Sequence, residues 1–375
     1  MSEMSEIRLL DNSTVYDLLI NLSTSETIEF RKVIERTFEE FSVDGERQYQ
    51  PMPSFANRPN EQRTLFRPFT SDTVIGTKIT VEPAPDKDGK KDPLHGIIVL
   101  CDGKGIPKGL LSSEEVTGYR TSMNVMVPFS WRLNVDNIII FGTGMQALWH
   151  TRLIIMLRGS EVRNITYIGP FREQAEQLIA TVSAENRALW KATCSFEFVD
   201  NTASDFQQNL ETYLRNVDCI FCTTPSKKPL FAAGSVVNRS SRQPFISAIG
   251  SWQPDMIELD PSLLKLAVAY NAGYNPITGK DKGAILVDDR DFALQNAGEL
   301  VKSNTIANDV VELGEIIALK NGRLSSASIT HTAVQKTDRF ISEGLVIYKS
   351  IGVSLTDLTL SDAILGLARE RQQKL

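Results

Sequence analysis

The 375-residue sequence predicts an α/β chain built on a parallel, doubly wound sheet, and three observations carry that prediction. The first is an apolar run that passes into a glycine turn and then an amphipathic helix: Ile138-Ile-Ile-Phe-Gly-Thr-Gly-Met-Gln-Ala147, followed by Trp149, Leu153, Ile154 and Leu157. The second is recurrence. Strand-like runs at 164–168, 219–222 and 245–250 alternate with helical stretches, the order that places helices on both faces of a parallel sheet. The third is length, because one hydrophobic core rarely serves a chain of this size and two domains are the default.

The glycine turn has the spacing GxGxxA. In that pattern Gly142 makes the tight turn, Gly144 lets backbone approach a pyrophosphate, and Ala147 keeps the helix close to the sheet. Phosphate would sit where the free N–H groups of the helix start point. A plain strand-to-helix turn without a ligand has the same spacing, so the context of repeated strands matters. Strand 164–168 ends in Gly169-Pro170, where a site for NAD(H) usually offers a carboxylate to the ribose 2′-hydroxyl. None is present, and Arg172 follows closely, which predicts NADP(H) as preferred and NAD(H) as possible. Pro170 and Phe171 could instead only shape an adenine pocket.

Taken in order, residues 1–12 are polar, with Ile7-Arg-Leu-Leu10 a candidate edge strand. Ile28, Val33, Ile34, Phe38 and Phe41 recur at helical spacing and stop at Asp44-Gly45. A stretch rich in Pro, Asn and Arg from Tyr49 to Pro68 reads as loop or short strands near a pocket. Val74-Ile-Gly-Thr-Lys-Ile-Thr-Val81 alternates at period two and sets Lys78 on the face opposite Ile79 and Val81. Residues 83–93 are loop, 96–102 a strand, and Asp102-Gly-Lys-Gly105 turns the chain toward 107–111. A helix near 113–121 leads into the dinucleotide domain, predicted over 121–320 and including a strand at 284–288 and a helix from Asp291. Short strand-like runs at 328–332 and 346–352 precede a final helix, 358–372, expected to pack back onto the first domain. The first domain is therefore expected to comprise 1–120 and 321–375.

A net charge of −6 with no concentrated basic face argues against a nucleic-acid partner. No apolar run approaches membrane-spanning length and nothing resembles a signal peptide, so a cytoplasmic protein is expected. Of the four cysteines, Cys101, Cys219 and Cys222 lie in apolar runs, and with only three histidines no metal is expected.

Taken together, Gly76-Thr-Lys78-Ile, Arg120-Thr121, Gly142-Thr-Gly-Met-Gln-Ala147, Thr223-Thr-Pro-Ser226, Ala248-Ile-Gly250 with Glu258-Leu259, and Ala297-Gly-Glu-Leu300 resemble the ornithine cyclodeaminase/mu-crystallin family. The resemblance spans residues 28–369. It implies a Rossmann dinucleotide-binding domain beside a second α/β domain made of the N-terminal part and the C-terminal segment. It also implies a homodimer formed through the first domains and a small-molecule substrate. Cofactor contacts would fall to Gly142, Thr143, Gly144, Met145, Gln146, Arg172, Thr223, Thr224, Pro225, Ile249 and Gly250.

Two departures from the family pattern bear on the chemistry. Cyclodeaminases carry a basic Asp two residues beyond the glycine of Ile-Gly, whereas this chain has Trp252 there, and an indole accepts no proton from an ammonium group. Ketimine reductases of the mu-crystallin type also lack that Asp, so the sequence leans toward their branch. Asp255, three residues on, could be displaced into the site, but it reads rather as an exposed turn residue. The other departure is Pro51-Met-Pro53, where relatives show Pro-x-Arg to grip a substrate carboxylate, leaving either Arg58, Arg63 or Arg67 as candidate replacements or a different substrate.

The expected activity is NAD(P)H-dependent reduction of a C=N bond in a cyclic or α-imino acid. Lys78 would be the proton donor or hydrogen-bond partner, and Arg120 the planar fork for a carboxylate, joined by the Thr121 hydroxyl and with Trp252 lining the pocket. A snorkelling lysine and an inter-domain salt bridge are the plain alternatives for Lys78 and Arg120. Conversion of ornithine to proline and ammonia is the rival activity. A catalytically silent NADP-dependent binder of small ligands is the rival of another class.

Overall fold

The computed structural model describes residues 7–88, 92–237, 242–250, 255–324 and 331–373. The chain divides into two compact units, one of Met1–Arg120 with Val353–Leu375 and one of Thr121–Gly352.

In the first unit six strands form one sheet: β1 (Arg8–Leu10), β2 (Ser54–Asn57), β3 (Arg63–Thr70), β4 (Val74–Glu82), β5 (His95–Asp102) and β6 (Pro107–Ser112), ordered β1-β6-β5-β4-β3-β2. Only β1 joins parallel, beside β6; the remaining pairs are antiparallel. The helices Asn12–Ile20, Thr24–Val43 and Ser354–Gln373 belong to this unit, and the last of them packs on β3, β4 and β5. Helix Thr24–Val43 starts at a reciprocal cap, in which the Ser23 side chain accepts from the Glu26 N–H and the Glu26 carboxylate accepts from that of Ser23. Gly45 at φ 83° continues the chain where a side chain would be strained. Of the residues predicted for the apolar face of this helix, Ile34, Phe38 and Phe41 are buried and Ile28 and Val33 only partly covered; Phe30 joins the buried set, and each full burial contributes roughly 1.5–3 kcal/mol. The helix Asn12–Ile20 lies in a stretch whose polar start, with Asp11 as its cap, conceals an apolar face.

The sheet alternation predicted for β4 holds, yet the face carrying Lys78 is the buried one. Val74, Lys78 and Thr80 are enclosed while Ile75, Ile79 and Val81 are only partly covered. Lys78 faces inward because the C-terminal helix supplies it with an anion there.

The second unit is a parallel sheet of eight strands: β7 (Asn137–Phe141), β8 (Asn164–Gly169), β9 (Ser195–Asp200), β10 (Cys219–Cys222), β11 (Phe245–Ala248), β12 (Ile285–Val287), β13 (Val310–Glu312) and β14 (Val346–Lys349). Their order is β13-β12-β14-β11-β10-β7-β8-β9. Strands covered on both faces read as unbroken apolar runs, as Cys219-Ile-Phe-Cys222 does, and all four of those residues are buried. After β7 the chain winds outward through β8 and β9, then returns to β10 on the other side of β7. The reversal makes the ends of β7 and β10 the topological switch point, where doubly wound sheets bind ligands.

The expected boundary at 321 is displaced to Val353. The run 346–352 supplies β14, which hydrogen-bonds between β11 and β12 and so belongs with the parallel sheet. Of the strand-like run expected at 328–332, residues 328–330 lie outside the described residues, and His331 and Thr332 open the helix His331–Glu343 instead. Strands β9 and β13 were not predicted.

Candidate active site

Within the first unit the predicted residues Lys78 and Arg120 are brought together by a third, Asp357. The side-chain accessibility of Lys78 is 5%, of Arg120 6% and of Asp357 zero. The Lys78 Nζ donates to Thr117 Oγ1 at 2.6 Å and to Asp357 Oδ1 at 3.1 Å. Arg120 Nε lies 3.0 Å from the same carboxylate oxygen. Thr117 and Arg120 stand three residues apart on the helix Ser113–Phe129, so one helix face presents both to β4. Asp357 falls in the first turn of the helix Ser354–Gln373, an end that favours negative charge.

The charges on this cluster shape one another. Burial drives the Lys78 ammonium down to about 8, with Asp357 opposing and Arg120 and Arg67 adding to the shift. Burial alone would raise the Asp357 carboxyl, but Arg120, then Lys78 and Arg67, hold it below the ordinary carboxylate value. The arrangement thus keeps a lysine close to its titration point near neutral pH beside an aspartate whose ionised form its cationic neighbours favour. A group so poised can give up a proton and recover it. Thr121 is buried, but it follows Arg120 directly on a helix, and consecutive helical side chains point in different directions.

In the second unit the turn after β7 has the geometry its glycines require. Gly142 adopts φ 112°, and an added Cβ would meet Thr223 Oγ1 at 2.6 Å. At Gly144 an added Cβ would meet nothing within 4 Å, so the backbone faces open space. The helix Met145–Arg158 begins there without a side-chain cap, leaving its first N–H groups for a ligand, while Ala147 is fully buried against the sheet. Met145 is 42% exposed at that helix start, and Thr143 Oγ1 donates to Gln174 at 3.3 Å. Open backbone, positive φ and an uncapped helix are what a pyrophosphate needs, so these residues fit a dinucleotide.

Thr223 follows β10 and donates through its hydroxyl to the Phe141 carbonyl at 2.8 Å, tying the two switch-point loops together. Glu258 organises the next pair of loops. One of its oxygens accepts from the Thr224 N–H and hydroxyl at 2.7 and 2.8 Å, and the other from the Gly250 N–H at 2.7 Å. The Lys349 Nζ donates to the Gly250 carbonyl at 2.7 Å and to Glu299 at 3.2 Å, and Glu299 accepts the Glu258 N–H at 2.8 Å. Burial raises the Glu258 carboxyl, against Lys349 and the two backbone donors. Pro225 is exposed and Ile249 partly buried beside these loops. Arg172 opens the helix Arg172–Glu185 with its side chain 61% exposed, reaching Glu176 only at 3.9 Å.

The family profile of the ornithine cyclodeaminase/mu-crystallin family matches residues 17–371. The chain belongs to that family. Among its relatives is a Delta(1)-pyrroline-2-carboxylate reductase from Bacillus cereus (strain ATCC 14579), 26% identical over 360 residues that cover 94% of each chain. The ketimine reductase mu-crystallin of Mus musculus is 25% identical over 229 residues, 61% of this chain and 54% of the mouse protein. Among solved structures, Thermococcus litoralis Delta(1)-pyrroline-2-carboxylate reductase in complex with NADH and L-proline superposes with a TM-score of 0.69. It shares 17% identity, covering 97% of this chain and 98% of that one, a likeness of fold.

Asp357 was not predicted from the sequence, and neither was Lys349. An acidic residue in the first turn of a helix is ordinarily a solvated dipole partner, so Asp357 carries no local signal except its apolar neighbours Leu355 and Leu358. Trp252 lies outside the described residues. Asp255 is a 58%-exposed turn residue paired with Lys227 at 2.6 Å. His150 is fully buried, held by Ser122 at 2.8 Å and the Gln146 carbonyl at 2.7 Å, and burial lowers it to about 4. That marks it as a neutral packing residue of the second unit.

Proposed function

We propose that this family member is an NAD(P)H-dependent reductase of C=N bonds, acting on a cyclic or α-imino acid. The observation that carries the reading is the buried Lys78–Asp357–Arg120 cluster, which supports Lys78 as the proton donor and Arg120 as the fork for a carboxylate. The names of the Bacillus cereus and mouse relatives support the same class of reaction. When bound, the dinucleotide supplies hydride to the imine carbon. Lys78 gives the proton that the nitrogen acquires, so that C=N becomes CH–NH, and Arg120 orients the substrate through its carboxylate. Gly142, Thr143, Gly144, Met145 and Gln146 would hold the pyrophosphate, with Thr223, Thr224, Pro225, Ile249 and Gly250 on the neighbouring loops. The test is oxidation of NADPH and NADH against a panel of cyclic imines and of keto acids with amines. A silent binding protein would retain the nucleotide and turn over none of them.

NADPH is expected to bind roughly tenfold more tightly than NADH, because Arg172 can pair with a 2′-phosphate and no carboxylate occupies residues 169–171 to repel it. Titration of both nucleotides checks this, and Arg172→Ala should erase the difference. Equal affinities in the unmodified protein would sink it.

Proline formation from ornithine with catalytic NAD is expected to be absent or marginal. An amine with pKa near ~10 must lose a proton before it attacks, and that needs a base within hydrogen-bond reach. Residue 252 is Trp, and Asp255 is engaged with Lys227 on an exposed turn. Turnover of ornithine at the rate of imine reduction would refute the assignment.

A homodimer through the first unit, in the cytosol, completes the proposal. The sheet face opposite the helices leaves Phe66 37% and Ile97 42% exposed with Ile75, Ile79 and Val99 partly covered, an apolar surface that a second copy would bury. Light scattering should give twice the chain mass, and Phe66→Glu should halve it. A monomer in the unmodified protein would overturn this. No helix among the described residues is long and apolar enough to cross a membrane, and the four cysteines are free thiols.

A further inference from the structure

At the end of the parallel sheet away from the glycine turn, the strand starts gather charge. Asp136 stands just before β7, Arg163 before β8, Asp218 before β10 and Arg242 shortly before β11. Because β11, β10, β7 and β8 are neighbours in the sheet, these residues, distant in the chain, line one cavity of about 320 Å³. Arg215, the last residue of the helix Phe206–Arg215, and the Asn216 that follows it complete the lining. The five residues of β7, rising ~3.3 Å each, set this cavity roughly 16 Å from the Gly142 turn, so it is separate from the dinucleotide site.

The carboxylates of the cavity are fixed, and its guanidinium groups are incompletely used. Asp218 is 5% exposed and accepts the Asn137 N–H at 2.9 Å through Oδ2. The Asp136 carbonyl accepts the N–H groups of Arg163 and Asn164 at 2.8 and 3.1 Å, and Arg163 Nε lies 3.0 Å from the Asp136 carboxylate. Arg242 is drawn between two carboxylates without closing on either. It lies 3.4 Å from Asp136 and 3.6 Å from Asp218, where a charge-assisted bond is about 2.7–2.9 Å long. Arg215 is exposed and makes no hydrogen bond or ion pair among the described residues. Three guanidinium groups thus face two carboxylates. The side chains of Arg163 and Arg242 are 82% and 58% accessible, and ion pairs so exposed contribute little to stability, so folding does not account for their convergence.

We infer that this cavity binds the phosphate ester of a polyhydroxyl compound, such as a sugar phosphate. Three planar forks arriving from separate loops suit a tetrahedral group with three outer oxygens, whereas a carboxylate offers only two, in one plane. The cavity is larger than a bare phosphate fills, and the rest of its lining suits hydroxyl groups: the Asp136 carboxylate accepts, and the Asn216 amide both donates and accepts. Among the described residues of the lining only Val217 is apolar, which disfavours an apolar body.

Calorimetry on the protein held at saturating NADPH tests the inference, because the bound dinucleotide then occupies the phosphate cradle at 142–146. Ribose 5-phosphate or glycerol 3-phosphate should bind once per chain, inorganic phosphate about tenfold more weakly, and ribose and glycerol not at all. Arg215→Gln and Arg242→Gln, both on exposed side chains, should each weaken the sugar phosphate by roughly 10- to 100-fold. Arg187→Gln, exposed and outside the cavity, should leave it unchanged. NADPH affinity and melting temperature without the phosphate ester should be the same in all three variants as in the unmodified protein, which separates lost binding from lost fold. Failure of both esters to bind the unmodified protein, or binding that survives both arginine substitutions, overturns the inference. Binding seen only without NADPH would place the phosphate at 142–146 and overturn it as well. Inorganic phosphate bound as tightly as either ester would show that the cavity reads no polyhydroxyl body, and would refute the ligand class.

Discussion

Replacing Lys78 by methionine is expected to lower kcat for imine reduction by about 10²–10⁴-fold while leaving nucleotide affinity within a few-fold of the unmodified protein. Methionine keeps the length and removes the proton, so packing against Thr117 and the C-terminal helix changes little while the donor is lost. The pH profile separates this from general damage. On the proposed mechanism reduction uses the ammonium form of Lys78, whose titration burial brings down to about 8. In the unmodified protein kcat/KM should therefore be level below that value and fall as pH rises through about 8. Lys78→Met should abolish that alkaline limb along with most of the rate. Stopped-flow reduction across pH 6 to 10 checks both. A variant that keeps the rate, or keeps the limb, would show that another group delivers the proton.

Asp357→Leu is expected to be the most destabilising single change in the first unit, costing about 3–5 kcal/mol. The carboxylate is fully enclosed and is the common partner of Lys78 and Arg120, so its removal leaves buried cations without a counter-charge. Replacement of the whole set by apolar residues need not be costly, whereas removal of the anion alone is. Urea denaturation measures the loss. Asp357→Glu should recover part of it, and in Asp357→Asn, if folded, the alkaline limb should move below about 8 because the anion that held the ammonium charged is gone. Unaltered stability in Asp357→Leu would mean that Lys78 and Arg120 find other partners and that the cluster is not an electrostatic unit.

The sequence alone determined several local elements of both units, though not β9, β13 or the helix His331–Glu343. A run of buried apolar residues ending in GxGxxA can be satisfied as a strand, a tight turn and a helix, and Gly142 at φ 112° with open space at Gly144 is that solution. Period-two alternation likewise placed Lys78 and Ile79 on opposite faces of β4, because successive side chains on a strand must diverge. Arg120 and Lys78 could be named as candidates from the resemblance to the family's ordered motifs together with their residue types.

What only the tertiary structure decided is which face is enclosed and by what. Lys78 and Asp357 are separated by 279 positions, and no local periodicity encodes a hydrogen bond across that distance. Asp357 in isolation reads as a helix-start acid, and it becomes the anion of the cluster only because the C-terminal helix returns to β3, β4 and β5. The same applies to 346–352, an apolar run whose composition suits either sheet. Its placement follows from the gap between β11 and β12, whose backbone donors and acceptors need a partner strand. Arg67 was one of three arginines until the antiparallel register set it opposite Lys78. Register is a property of the paired strands together, so it belongs to neither segment's sequence alone.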